Sequence, residues 1–170
     1  MTVSSVARLQ GSPVDPDNVN MEGEYSPWQA YGRSKLANYH FALGLQREFE
    51  KRGLAAQSLA AHPGLSNTNL ASHTVQEGGG GILGGVSHSI AQFLGMSAAQ
   101  GALSQLRAAT DPEAKGGELY GPAFGSNGPP LKRPVLAPGL DDTIATLWMV
   151  SERETGLAFD FDSVAPTRSA

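Results

Sequence analysis

Tyr31 and Lys35 are the residues of this sequence whose chemistry and spacing stand out first. Four positions apart on a helix, their side chains share one face, with Cβ atoms about 5–6 Å apart. A free tyrosine has a pKa near 10, too high for a base at neutral pH, but a fixed positive charge beside a phenol favours the phenolate. A Tyr-x-x-x-Lys pair facing a cleft can therefore donate and accept a proton. Most such pairs are surface packing, so the pair alone does not define a site.

Two further polar segments are expected to lie close to this pair. Ser4 and Ser5 end a short β-like run, and residues 62–68 follow a predicted strand at 54–61. Ligands of open α/β sheets bind outside the carboxyl ends of the strands, where both segments are expected. A hydroxyl donor, a phenol, an ammonium and a loop of backbone donors would then meet in one crevice. Their joint occurrence in this order favours a site over coincidence.

Helices must carry the pair and flank the strands. Ser26 and Pro27 begin a helix that ends near Lys51, with Gly53 beyond it. A second helix is predicted at 89–110, closed by Asp111-Pro112. The third is predicted at 141–154, with Asp141 or Asp142 near its N-cap and Gly156 after its end.

Short strands are expected between these helices, at 2–5, 54–61 and 118–120, with loops at 11–24, 65–85 and 121–138. The β-α-β-α-β-α order predicts an α/β layered domain with a parallel sheet.

Composition narrows the class of protein. The chain has 170 residues, enough for one domain with a real core, and 40% hydrophobic with 16% charged residues indicates a soluble globular protein. A net charge of −4 argues against a nucleic-acid or polybasic membrane role. No run reaches the roughly 20 apolar residues of a membrane span, and no secretory signal is evident. The absence of cysteine excludes disulfides and thiolate catalysis. We therefore expect a cytoplasmic protein.

Together these segments resemble the second half of short-chain dehydrogenase/reductases. The resemblance rests on Val3-Ser4-Ser5, on Tyr31-x-x-Ser34-Lys35-Leu36-Ala37-Asn38 and on His62-Pro63-Gly64-x-x-x-Thr68. The long Ser-to-Tyr spacing, Gln100-Gly101-Ala102, residues 116–122 and Leu147-Trp148-x-x-Ser151-x-x-x-x-Gly156 resemble its retinol-dehydrogenase-like branch. The implied fold is a partial Rossmann-like, doubly wound parallel sheet, second half only, with three short strands and flanking helices. Residues 1–170 would be one domain, the C-terminal catalytic half, without the N-terminal cofactor-binding half.

The resemblance also implies a role for each site residue. Ser5 would hydrogen-bond the substrate oxygen, with Ser4 as its rival. Tyr31 would pass the proton, and Lys35 would hold the nicotinamide ribose and favour the Tyr31 phenolate. Contacts to the carboxamide would come from the loop Pro63, Gly64, Leu65, Ser66 and Thr68. The cofactor would be NAD or NADP, with NADP slightly favoured.

The dinucleotide-binding features of the family's first half are missing from this sequence. A G-x-G-x-x-G run occurs at 79–84, but no strand precedes it and no acidic residue follows about 20 positions later. We read it as a glycine-rich segment beside the substrate cleft. The four histidines show no metal-ligand spacing, so no metal is expected.

The function expected is that of an NAD(P)-dependent oxidoreductase that interconverts a small-molecule alcohol and carbonyl by hydride transfer, truncated and impaired as this chain. One alternative is a non-catalytic remnant that acts as an interaction module. Its 26–51 helix, which often builds a dimer interface in this family, would also serve a homo-oligomer. Another is a nucleotide-sugar epimerase or dehydratase, which shares Tyr-x-x-x-Lys, although the C-terminal motifs count against it. No nucleic-acid partner and no membrane span are expected.

Overall fold

The fold is that of a computed structural model, which describes residues 1–23, 25–65, 96–135, 140–161 and 163. Its strands are β1 (Thr2–Val3), β2 (Ala60–Ala61), β3 (Leu119–Pro122) and β4 (Pro130–Arg133). A 3₁₀ helix (Val6–Gln10) follows β1, and the described α-helices are α1 (Pro27–Lys51), α2 (Ala98–Thr110) and α3 (Leu140–Thr155).

The four strands form one sheet in the order β1-β2-β3-β4. The first three are parallel: Thr2 pairs with Ala60, and Ala60 pairs with Leu119. The fourth runs antiparallel to β3. The predicted partial Rossmann-like α/β fold is confirmed, and the parallel pairing brings the carboxyl ends of β1, β2 and β3 to one edge of the sheet.

The sheet has helices on both faces. On one face, Tyr39 and Leu43 of α1 pack with Ala60 and Leu119, and Ile144 of α3 packs against them. On the other face, α2 contributes Ala108 to a cluster with Leu59, Ala61 and Tyr120. The two central strands are buried on both sides, so even the two-residue β2 is completely covered, whereas the edge strands β1 and β4 are partly exposed. No helix in the described part of the chain has the length and apolar character to cross a bilayer.

The expectation of a loop over 121–138 is wrong in part, because Pro130–Arg133 forms the fourth strand. The Gly- and Pro-rich segment before it is a tight turn, in which the Ala123 N–H donates to the Pro129 carbonyl over 2.9 Å. Pro130 pairs with Pro122 at the end of this ladder, and β4 is an edge strand, where proline is tolerated. The turn residues suggested irregular chain, but they fold the strand back onto β3.

Two other boundaries differ from the prediction. The strand expected at 54–61 is confined to Ala60–Ala61, and the chain at 55–57 is exposed rather than part of the buried sheet. The strand expected at 2–5 ends at Val3, and the 3₁₀ helix after Ser5 was not predicted.

The helices lie close to their predicted positions. The Ser26 hydroxyl accepts from the Gln29 N–H at the start of α1, and Gly53 follows its end with φ +64°. In α2, a reciprocal capping box joins Ser97 and Gln100, while residues 89–95 of the predicted helix lie outside the described residues. Helix α3 begins at Leu140, so Asp141 and Asp142 lie in its first turn, where carboxylates favour the positive end of the helix dipole.

Gly11 and Gly32 allow the end of the 3₁₀ helix to touch α1. A Cβ on Gly11 would lie 2.4 Å from the Gly32 carbonyl oxygen, and a Cβ on Gly32 would lie 3.0 Å from the Ala7 carbonyl oxygen. Both clashes are with backbone, which cannot rotate away. The two glycines therefore set the separation between the segment after β1 and the helix that carries Tyr31.

Gly11→Ala should destabilise the chain by about 1–3 kcal/mol, the usual cost of overpacking. The backbone at Gly11 has φ −76°, which alanine adopts without strain, so the loss would report the close approach itself. Urea denaturation measures it. Leu9→Ala is the neighbouring control: Leu9 is 76% exposed, and its variant should stay within about 0.5 kcal/mol of the original chain. Equal stability of Gly11→Ala and the original chain would contradict the packing described.

Candidate active site

Both serines lie just after β1, at the carboxyl edge of the sheet, and both are buried. The Ser4 hydroxyl donates to the Lys35 backbone carbonyl over 2.7 Å. Ser5 caps the 3₁₀ helix, and its Oγ accepts from the Ala7 N–H over 3.2 Å. A carbonyl can only accept and an N–H can only donate. The Ser4 hydroxyl therefore donates its proton to the Lys35 carbonyl. The Ser5 hydroxyl is the acceptor in its bond with Ala7, so it can still donate its proton to a ligand.

Tyr31 and Lys35 lie on the first turns of α1, both half-buried. The Lys35 Nζ atom is 5.5 Å from the centroid of the Tyr31 ring, so the pair shares one helix face as its spacing predicts. Ser34 is exposed, and its hydroxyl donates to the Tyr31 carbonyl in the preceding turn of the helix. Lys35 has no ion pair with a carboxylate in the part of the chain that the structure describes. Its ammonium can therefore bind a ligand oxygen.

Side-chain hydrogen bonds tie this part of α1 to the end of β1. The Asn38 amide donates to the Val3 carbonyl over 3.0 Å, one turn beyond the bond between Ser4 and Lys35. Further out, the Trp28 indole N–H donates to the Gln10 side chain over 2.7 Å. The strand end with its two serines is thus joined to the helix that bears Tyr31 and Lys35.

The segment after β2 reaches the same edge of the sheet. Gly64 has φ +72°, and a Cβ there would lie 2.3 Å from the Ser126 carbonyl oxygen, so the position requires glycine. The Gly64 N–H donates to His62 Nδ1 over 3.2 Å, and the Leu65 N–H donates to the Ser126 carbonyl over 2.7 Å. Both backbone donors therefore already have partners.

The parallel pairing of β1 with β2 puts the predicted cofactor residues Pro63, Gly64 and Leu65 at the same edge of the sheet as the serines. Their contact with a carboxamide stays a prediction, because two of their N–H groups are used within the chain. Ser66 and Thr68 lie outside the described residues, as do the glycine run at 79–84 and two of the four histidines. No cluster suited to a metal ion occurs within the described ranges.

His62 is a buried, neutral side chain that supports this turn. Burial lowers its pKa, and the positive charges of Arg8 and Arg133 lower it further, to about 4. Its Nδ1 accepts from Gly64, so the neutral ring carries its proton on Nε2. That nitrogen lies against Gly121, where a Cβ would come within 2.2 Å of it. The sequence analysis found His62 only as part of its motif.

The chain resembles several curated proteins. It is 36% identical over 125 residues to the short-chain dehydrogenase/reductase prx1 of Penicillium roqueforti, an alignment covering 71% of this chain and 34% of that protein. It is 36% identical over 120 residues to the polyprenol dehydrogenase of Mus musculus, covering 68% and 33%. It is 30% identical over 143 residues to retinol dehydrogenase 14 of Homo sapiens, covering 83% and 39%.

A solved structure agrees with these relatives. A crystal structure of an uncharacterised protein from Mycobacterium Paratuberculosis superposes with a TM-score of 0.68 at 32% identity, covering 94% of this chain and 50% of that one. The chain belongs to the short-chain dehydrogenase/reductase family. No family model matches it. This short-chain dehydrogenase/reductase chain spans about a third of the length of the curated relatives it matches.

Several features of the site escaped sequence analysis. The roles of Ser4 and Asn38 as ties between β1 and α1 depend on how close the strand and helix come. The contact between Gln10 and Trp28 joins residues 18 positions apart, and neither forms a motif. Serine is a preferred cap residue, so Ser5 could have been expected to cap a helix. That preference is weak evidence by itself.

The depressed pKa of His62 predicts a pH-dependent stability. Because the unfolded histidine has a pKa near 6.5, the unfolded chain binds the proton first as the pH falls. The His62 contribution is therefore fully present above pH 6.5 and is lost as the pH falls from 6.5 to 4, by about 3 kcal/mol. Denaturation of the original chain and His62→Gln across this range measures the difference.

His62→Gln should flatten most of that slope, leaving the smaller parts due to His40, whose pKa burial also lowers, and, toward pH 4, to Glu118, whose pKa is held at about 2. His40→Gln is the control, and it should keep most of the pH dependence of stability. The same slope in the original chain and in His62→Gln would show that His62 is not a buried neutral group.

Proposed function

We propose that this chain carries the proton-transfer residues of an NAD(P)-dependent oxidoreductase that interconverts an alcohol and a carbonyl by hydride transfer. The observation that carries the proposal is the joining of the Ser5 segment to the Tyr31–Lys35 face of α1, at the carboxyl edge of a parallel sheet. The relatives' printed names, which include polyprenol and retinol dehydrogenases, support the reaction class.

In the direction of carbonyl reduction, Tyr31 would donate its phenolic proton to the substrate oxygen. Ser5 would donate a second hydrogen bond to the same oxygen, which stabilises the charge that develops on it. Lys35 would hold the ribose hydroxyls with its ammonium and favour the phenolate that remains on Tyr31. A bound nicotinamide supplies or accepts the hydride. The reverse direction uses Tyr31 as the base.

Hydrogen bonding favours Ser5 over Ser4 as the substrate donor. The Ser4 proton is bound to the Lys35 carbonyl, and Ser4 is only 2% exposed. Recruiting Ser4 for the substrate would break this bond, and a hydrogen bond of this kind typically contributes about 0.5–1.5 kcal/mol. Ser5 accepts from Ala7 and can donate at the same time. This assigns Ser4 to holding the helix and Ser5 to the substrate.

The residues that would hold the cofactor fit its nicotinamide end. Lys35 would offer an ammonium to the ribose, and the segment from Pro63 to Leu65 follows β2 at the carboxyl edge of the same sheet. From the family motif, we propose that Pro63, Gly64 and Leu65, together with Ser66 and Thr68, contact the carboxamide of the nicotinamide.

The alternative role for α1, as a docking surface, has less support. Phe41 of α1 stacks on Trp148 at 5.8 Å, and Phe159 lies 5.3 Å from the same indole. Phe161 packs against Phe49, also on α1. A partner or second copy binding on this face would have to displace residues of the chain itself.

Tyr31→Phe should lower turnover of the native protein containing this chain by roughly 10²–10⁴-fold at saturating cofactor, the usual size of an acid–base contribution. Steady-state carbonyl reduction, followed by nicotinamide absorbance, measures it. Tyr25→Phe is a matched control, because Tyr25 is 62% exposed and lies outside α1. Near-normal turnover by Tyr31→Phe would remove Tyr31 from the reaction.

The purified chain should bind NAD(H) and NADP(H) more weakly than micromolar, because the contacts assigned above involve only the ribose and nicotinamide. Lys35→Met should weaken binding further, while Lys51→Met, exposed at the far end of α1, should not. Calorimetry provides the dissociation constants. Tight binding that survives Lys35→Met would contradict the assignment of Lys35.

A further inference from the structure

Trp28 and Gln10 form a contact at the mouth of the proposed site. Trp28 is the second residue of α1, and Gln10 is the last residue of the 3₁₀ helix that Ser5 caps. The indole N–H donates to the Gln10 side-chain oxygen over 2.7 Å. The indole is nevertheless 48% exposed, so the contact does not serve to complete a buried core.

The Trp28 ring is also the neighbour of the Tyr31 ring. The two centroids are 5.8 Å apart with the planes tilted by 32°. Lys35 lies on the other side of the phenol along the helix, 5.5 Å from the ring centroid. Because residues three and four apart share a helix face, Trp28 and Lys35 flank Tyr31 from both directions. The phenol ring is confined between an indole and an ammonium.

The confinement matters because Tyr31 lies near the start of α1, where fewer backbone hydrogen bonds restrain the chain. Ser4 and Asn38 hold the helix one and two turns further on. The bond between Gln10 and Trp28 is the side-chain tie that reaches the first turn from the serine-bearing segment. This bond therefore joins the 3₁₀ helix that Ser5 caps to the helix that carries Tyr31. The hydroxyl groups of Ser5 and Tyr31 must both reach the same substrate oxygen.

We infer that Trp28, held by Gln10, is a positioning residue that fixes the Tyr31 ring relative to Ser5. This inference rests on the proposed function, because it assigns Trp28 and Gln10 to the same proton-transfer site. A misplacement of about 1 Å can cost roughly 10²-fold in rate. Loss of the tie should therefore lower kcat rather than weaken substrate binding.

Three variants separate the parts of this arrangement. Gln10→Ala removes the acceptor and leaves both rings. Trp28→Phe keeps a ring beside Tyr31 and removes the donor, whereas Trp28→Ala removes both. Gln29→Ala is the matched control, since Gln29 is exposed on the same helical turn and its side chain makes none of these contacts. The substitutions lie at exposed positions, so the chain should still fold.

The first measurement needs no activity. The chain has two tryptophans, and in the proton NMR spectrum of Trp148→Phe the remaining indole N–H signal is that of Trp28. Adding Gln10→Ala should shift this signal, speed its exchange with water and reduce the dispersion of the Tyr31 ring signals. Gln29→Ala should do none of these. Unchanged Trp28 and Tyr31 signals in Gln10→Ala would overturn the inference, whether or not the protein is an oxidoreductase.

The second measurement uses turnover of the native protein. Gln10→Ala and Trp28→Phe should each lower kcat by roughly 10-fold with little change in KM, and Trp28→Ala should lower it further. Equal kcat in Gln10→Ala and the original protein would overturn the inference. Absence of alcohol or carbonyl turnover in the original protein would instead refute the proposed function, and the ring signals would then decide the structural role.

Discussion

The hydrogen bond from the Ser4 hydroxyl to the Lys35 carbonyl is the interaction on which the site depends. Its length of 2.7 Å is the usual one for a hydroxyl donor, and that donor is almost completely buried at the end of β1. It fixes the helix turn that carries Lys35 against the strand end that carries Ser5. This bond also uses the Ser4 proton. The two adjacent serines therefore have different roles: Ser4 holds the helix, and Ser5 can donate to a substrate. An alanine at position 4 would remove this bond.

Glu118, just before β3, accepts hydrogen bonds from residues of both β3 and β4. Burial acts to raise the pKa of Glu118, but bonds from Lys132, the Lys115 N–H and Tyr120 outweigh it and hold that pKa at about 2. Burial, followed by the bond to Glu118, raises the pKa of Tyr120 to about 12. The carboxylate thus links β3 to β4, the strand that follows the turn containing Ser126. Since Ser126 accepts from Leu65, this network supports the segment after β2 from a distance.

Much of the fold could be read from the sequence because its signals are local. Ser26, Pro27 and Gly53 mark the ends of α1, and Gly156 follows α3 as expected. The Tyr31–Lys35 pairing follows from helical spacing alone. The fourth strand was missed because Pro129 and Pro130 resemble loop, and only the ladder to β3 makes Pro130 the start of a strand. The contacts of Ser4, Asn38 and Gln10 depend on the closeness of β1 and α1, which the pair Gly11 and Gly32 sets. No local signal specifies that distance.

The most direct measurement is an experimental structure of the native protein bound to a nicotinamide cofactor and an alcohol or carbonyl substrate. We expect the hydroxyl groups of Tyr31 and Ser5 both to lie within about 3.2 Å of the same substrate oxygen. The Lys35 ammonium should contact the ribose, and Ser4 should remain bonded to the Lys35 carbonyl. A substrate oxygen bound by Ser4, or one beyond the reach of Tyr31, would contradict this expectation.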